Sequence, residues 1–180
     1  LINLINKISG DHEKMKWIKH IAIILVVIVA ALAVFAWWGF RDRAPVENQH
    51  IGSKMSSKQV LIATQDYEFR NQIANTVTKA LEEEGCYIEL IDVQNILESN
   101  IDNFDVVIIL DTVKAWKLHK NTRAFMNKAK NKNKIIVVPC AGNPDLKMNI
   151  EGVDVISAAS PQGNQESIAN DILEKVRERF

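Results

Sequence analysis

Several kinds of chemistry lack their raw materials in this chain. Lys and Arg number 22 and so do Asp and Glu, which leaves a formal net charge of zero and no global pull toward nucleic acid. The two cysteines, Cys86 and Cys140, are far apart and form neither a CxxC pair nor a zinc-ligand spacing. The four histidines (His12, His20, His50 and His119) do not cluster, so no metal site is expected. There is no glycine-rich Walker loop, and Ser160 and His119 have no recognisable partners for nucleophilic work. Residue 1 is leucine, so the chain is expected to be processed or part of something longer.

Against these absences stands one long apolar run. Ile21 to Phe40 reads IAIILVVIVAALAVFAWWGF, without a charge. At about 1.5 Å per residue a helix of that length reaches roughly 30 Å, the thickness of a bilayer's hydrocarbon core. Lys19 and Arg41 bracket it, with Trp17 just outside one end and Trp37 and Trp38 inside the other, where indoles prefer the interface. The run ends Trp-Trp-Gly-Phe-Arg, unlike the small-residue cleavage site of a signal peptide. A single-pass anchor in the cell membrane is expected. Lys7, Lys14, Lys16 and Lys19 before it, against Arg41, Arg43 and Lys54 after it, favour the soluble part on the extracytoplasmic side.

The rest divides around that span. Residues 1–20 are a juxtamembrane segment, with Ile2, Ile5 and Ile8 spaced either for a helix on the membrane surface or for a frayed end. Residues 41–58 are polar and without period, a linker. Residues 59–180 form one domain-sized unit.

Within that unit, strand and helix periods alternate. Strands are predicted at 59–64, 86–92, 105–110, 134–139 and 153–158. Helices are predicted at 68–84, 94–99, 113–130 and 165–179. Strands such as DVVIIL and KIIVVP are apolar on both faces, as a sheet covered on both sides requires. The expected fold class is α/β: a doubly wound, five-stranded parallel sheet of order 2-1-3-4-5. Only about 13 residues separate strands four and five, with Gly142, Pro144 and Gly152 among them, so a loop or single turn is expected there in place of a helix.

In such a sheet a ligand binds beyond the carboxyl ends of the strands, here the loops 64–70, 111–117 and 139–146. The stretches VLIATQDYEFRNQIA and FDVVIILDTVKAWKLHKNTRAFMNK, with GVDVISAAS, resemble the flavodoxin family, and more narrowly flavodoxin-domain proteins with an N-terminal membrane anchor. That resemblance implies FMN, with its phosphate held by a loop of Ser/Thr, two residues, Gly, one residue, Thr, and an Ala four further on. Anchored on Ala74, those positions hold Gln65, Glu68 and Arg70, none of which matches. A carboxylate at position 68 about 4 Å from a phosphate charge would cost on the order of 4 kcal/mol. Arg70 offsets part of that.

The candidate cofactor-binding residues are therefore a degenerate set: Thr64, Gln65, Asp66, Glu68, Arg70, Asp111, Thr112, Trp116, Cys140 and Asn143, with Trp116 placed either to stack on a flavin ring or to pack against the sheet edge. No cofactor is expected to be held; FMN is the one the resemblance would supply. VLIATQDYEFR also resembles the opening of response-regulator receiver domains, but of their phosphorylation site only Asp111 is matched. Thr64 and Gln65 replace the acidic pair, although Asp66 follows, and no lysine follows strand five.

Residues 112–144 carry eight Lys or Arg and no acid, while residues 80–113 carry nine acids and no base. A charge dipole is expected, read either as two solvated helix faces or as a basic segment 114–134 available to an electrostatic partner or an anionic membrane. The expected role is an accessory or docking subunit beside another membrane protein. The alternative is an FMN-dependent electron-transfer protein tethered to the membrane.

Overall fold

The computed structural model describes residues 2–40, 45–143, 145–159 and 163–180, with side chains from residue 17 to residue 37 in the first stretch. The charges at Arg41 and Arg43, the ring of Trp38, and Pro144, Ser160 and Pro161 lie outside the described residues. The chain forms two compact units, residues 1–42 and 43–180.

The first unit is one helix, α1 (Ile2–Phe40), so the juxtamembrane segment continues the helix of the apolar run. Its stretch Trp17–Trp37 is long and apolar enough to cross a membrane. Its apolar side chains lie exposed, which is costly in water and favourable in lipid.

The second unit is a seven-stranded mixed sheet between two helical layers. Its strands are β1 (Gln49–Ile51), β2 (Gln59–Thr64), β3 (Tyr87–Asp92), β4 (Val106–Thr112), β5 (Ile135–Ala141), β6 (Asp154–Val155) and β7 (Ala158–Ala159). Its helices are α2 (Glu68–Glu83), α3 (Lys120–Lys128) and α4 (Gln165–Arg177). The order is β1-β3-β2-β4-β5-β6, with β7 also on β5. All pairs are parallel except β1 with β3. This is a flavodoxin-like α/β fold, with two departures from five parallel strands.

The first departure is β1, which lies inside the expected linker and pairs antiparallel with β3, His50 opposite Glu89. Tyr87 Oη and His50 Nδ1 meet at 2.8 Å and secure it. Gly52 then turns the chain at a φ of 82°, where an added Cβ would lie 2.3 Å from the Cys86 carbonyl oxygen. The second departure is that the last strand is broken. β6 pairs with β5 at Ile136 and Val137, and β7 pairs with it at Cys140 and Ala141.

Alternation along the central strands supplies two cores. Val60, Ile62, Val106, Ile108, Leu110, Ile136 and Val138 face α2 and α4. Leu61, Ala63, Val107, Ile109, Ile135 and Val137 face Phe125 and Met126 of α3 and the 3₁₀ turn Val93–Glu98. α2 ends where the sequence places its stop: Gly85, at φ 76°, bonds Glu82 O, and Cys86 N–H bonds Leu81 O, a Schellman closure. Between β5 and β6 the described residues form neither helix nor strand. Met148 and Ile150 instead pack on the α3-side core in place of a crossover helix.

α3 corrects the expected helix 113–130, because its first third is not helical. The Asp111 carboxylate takes the His119 N–H at 2.7 Å, and His119 Nδ1 caps α3 by accepting from Asn121 N–H. Leu118 is buried, but from the loop. α3 packs beside the 93–98 turn, where Asn121 Nδ2 donates to the Gln94 carbonyl at 2.6 Å.

Candidate functional site

The carboxyl ends of β2, β4 and β5 stand side by side, so the three candidate loops leave one edge of the sheet. Thr64, the last residue of β2, is buried. Only residues 65–67 separate it from α2, which begins at Glu68 with Tyr67 as N-cap in extended conformation. Tyr67 supplies no side-chain cap, and Glu68 is an exposed carboxylate in the first turn, where the helix dipole favours negative charge. Asp66 is exposed, and its Oδ1 accepts from Asn71 Nδ2 at 2.9 Å.

Arg70 points inward. It is buried, 4% exposed, one turn into α2. Its Nε donates to the Gln65 carbonyl at 3.2 Å and its Nη1 donates to Thr112 Oγ1. The Thr112 hydroxyl in turn donates to Gln65 Oε1 at 2.9 Å. Three of the candidate residues, Gln65, Arg70 and Thr112, thus form one network that bridges the β2 and β4 loops. The guanidinium also lies 5.3 Å from the centre of the Tyr67 ring, within cation–π range.

Asp111 and Cys140 lie deeper. Asp111 is fully buried, and burial pushes its carboxyl above the ordinary 3.8, opposed chiefly by the His119 N–H and then by the Thr122 hydroxyl. The Thr122 contact falls short of a formed hydrogen bond, so Asp111 Oδ1 and Thr122 Oγ1 both lack a hydrogen-bond partner. Cys140, paired in register with Thr112, is buried, and its thiol is pushed up to about 12 by desolvation, with the Arg70 charge in opposition. Cys86 stands at the opposite end of the sheet, just before β3, and both thiols are free. Asn143 is exposed and closes a small turn, its Oδ1 accepting from Asp145 N–H at 3.0 Å.

Trp116 is 72% exposed. It sits with Ala115 at the tip of a two-residue hairpin closed by reciprocal bonds of 3.0 Å between the backbones of Lys114 and Lys117. Both tip residues have positive φ, 49° and 64°, as a type I′ turn requires, although neither is Gly, Asn or Asp. Sequence reasoning missed this hairpin, because Ala-Trp carries no turn signal. It also missed Asp92, a buried strand-end carboxylate that bonds Val46 N–H at 2.9 Å and Gln94 N–H at 2.7 Å.

No protein-family profile matches the chain, and no curated protein matches it in sequence. Solved structures do resemble it in shape. Oxidised flavodoxin 2 from Bacillus cereus is 12% identical with a TM-score of 0.49, over 68% of this chain and 99% of that one. Two-electron reduced flavodoxin from Megasphaera elsdenii is 16% identical with a TM-score of 0.47, over 66% and 98%. A flavo di-iron protein mutant from Thermotoga maritima is 13% identical with a TM-score of 0.49, over 71% of this chain and 36% of that one. The assignment to a flavodoxin-like fold rests on the strand order and crossovers. Among the described residues no three His, Cys, Asp or Glu side chains converge as a metal site.

Proposed function

We propose that this chain is a single-pass membrane protein whose flavodoxin-like domain does not carry FMN and serves as a docking subunit of a membrane complex. The observation that carries the reading is the closed network of Gln65, Arg70 and Thr112. A phosphate cradle needs backbone N–H groups turned toward the ligand at a helix N-terminus, usually with glycine to let the chain approach. Here the loop is three residues long, holds no glycine, and places the Glu68 carboxylate in the first turn of α2. Arg70, the buried cation one turn into α2, already donates to Gln65 and Thr112. These residues do not fit the group.

The rival reading, a tethered FMN electron carrier, draws on two features. α2 begins without a side-chain cap at Tyr67, and the Trp116 indole is exposed on a loop of the same sheet edge. The two readings separate on purification of tagged full-length chain from membranes in mild detergent. A docking subunit emerges colourless, with a stoichiometric protein partner; a carrier emerges yellow. A colourless chain with no partner under cross-linking as well as without it would contradict the docking role.

A further inference from the structure

We propose that the 113–118 hairpin is a lipid-contact element, which rests Trp116 in the interface of an anionic bilayer while Lys114 and Lys117 meet the headgroups. This rests on the reading of α1 as a membrane span. Three observations carry it.

The first is the composition and shape of the tip. Lys114, Ala115, Trp116 and Lys117 are four consecutive exposed residues, followed by exposed Lys120 and Arg123. Trp116 is the most exposed aromatic side chain described in the folded unit. None of these cations forms an ion pair among the described residues. Indoles favour the membrane interface, and each Lys or Arg near an anionic surface adds to the attraction.

The second is rigidity. Val113 N–H bonds the Cys140 carbonyl at 3.0 Å on one side of the hairpin, and Asp111 holds His119 N–H on the other. Leu118 is buried between them. Two non-glycine residues at positive φ are held at the tip, and such strain persists only where the surroundings impose it.

The third is the place where the chain enters the unit. Val46 is bonded to Asp92 at the carboxyl end of β3. β3, β2 and β4 run parallel, so Asp92 and Thr112 end at the same edge, with β2 between them. The antiparallel direction of β1 follows, because the chain must descend from that edge before β2 can rise. The edge from which the hairpin projects is therefore the edge to which the tether is attached.

The test uses the full chain with Trp17, Trp37 and Trp38 changed to Phe, which leaves Trp116 as the sole tryptophan of the original four. It is reconstituted into phosphatidylcholine vesicles carrying brominated acyl chains, with and without phosphatidylglycerol. The expected result is flotation with the vesicles under alkaline conditions, together with loss of Trp116 emission only when phosphatidylglycerol is present. Lys114→Glu with Lys117→Glu restores that emission. Flotation with unquenched emission in both lipids overturns the hairpin proposal and leaves the span standing. Failure to float, with unquenched emission, overturns both. Equal quenching in neutral vesicles, unaffected by the charge reversal, overturns the role of the lysines. Shielding of Trp116 only in native membranes, not in pure lipid, overturns the bilayer as occupant in favour of a protein. A parallel Trp116→Cys chain, labelled with an environment-sensitive dye while Cys86 and Cys140 stay buried, reads the same outcomes with the other tryptophans intact.

Discussion

Arg70, one turn into α2, donates a hydrogen bond to Thr112 at the end of β4, across a sequence distance of 42 residues. That contact joins the two loops between which a ligand of this fold would lie. It ties that edge of the sheet into the protein's own hydrogen-bonding, and several consequences can be measured.

Thr112→Val removes the hydroxyl that both receives Arg70 and donates to Gln65. A buried guanidinium then loses an acceptor, and the fold is expected to lose about 1–3 kcal/mol. Denaturant unfolding of the full chain in detergent, followed by far-UV signal, checks this. An unchanged midpoint would mean that the network is not formed.

Ala115→Gly is expected to stabilise the domain by about 1 kcal/mol, because glycine takes positive φ without the steric penalty that alanine carries. Gly52→Ala acts in the opposite direction. It combines a positive-φ penalty of about 1–3 kcal/mol with a Cβ placed against the Cys86 carbonyl. Paired thermal melts of the two variants should move to opposite sides of the parent.

Asp111 sets a pH dependence. Its folded carboxyl is raised above 3.8 by burial, so the native state holds its proton to higher pH than the unfolded chain does. Stability therefore falls as pH rises from the unfolded value through the raised folded one. Asp111→Asn keeps an acceptor for the His119 N–H and removes the charge. The variant's advantage over the parent is expected to grow with rising pH across that window. Equilibrium unfolding at a series of pH values measures it, and a constant difference between the two proteins would refute it.

Cys140, with its thiol pushed up to about 12, holds almost no thiolate at pH 8. Cys86, likewise raised by desolvation, is buried at the other end of the sheet. Neither should react with iodoacetamide at pH 8 until the domain is unfolded, when both should. Mass spectrometry of the native and denatured protein distinguishes the two states.

The elements that residue patterns revealed are those whose burial is repeated along the chain. QVLIAT became β2 without a change of boundary, and Ile73, Val77 and Leu81 line the buried face of α2. β1 was illegible because Gln49, His50 and Ile51 are short, mostly polar and paired at an edge, where nothing forces an apolar period. The hairpin at 113–118 was hidden inside a helical pattern, since Leu118 is buried at a spacing that also suits a helix through Phe125. Of the site, the missing glycine and the carboxylate of Glu68 could be read directly. The Gln65–Arg70–Thr112 network could not, because its members meet only when β2 and β4 are neighbours.

The central proposal, that this domain does not carry a flavin, is tested most directly by visible absorbance. Full-length chain in mild detergent is incubated with excess FMN and then desalted. The account predicts a folded, colourless protein with all flavin in the small-molecule fraction. A flavin spectrum that stays with the protein would contradict it.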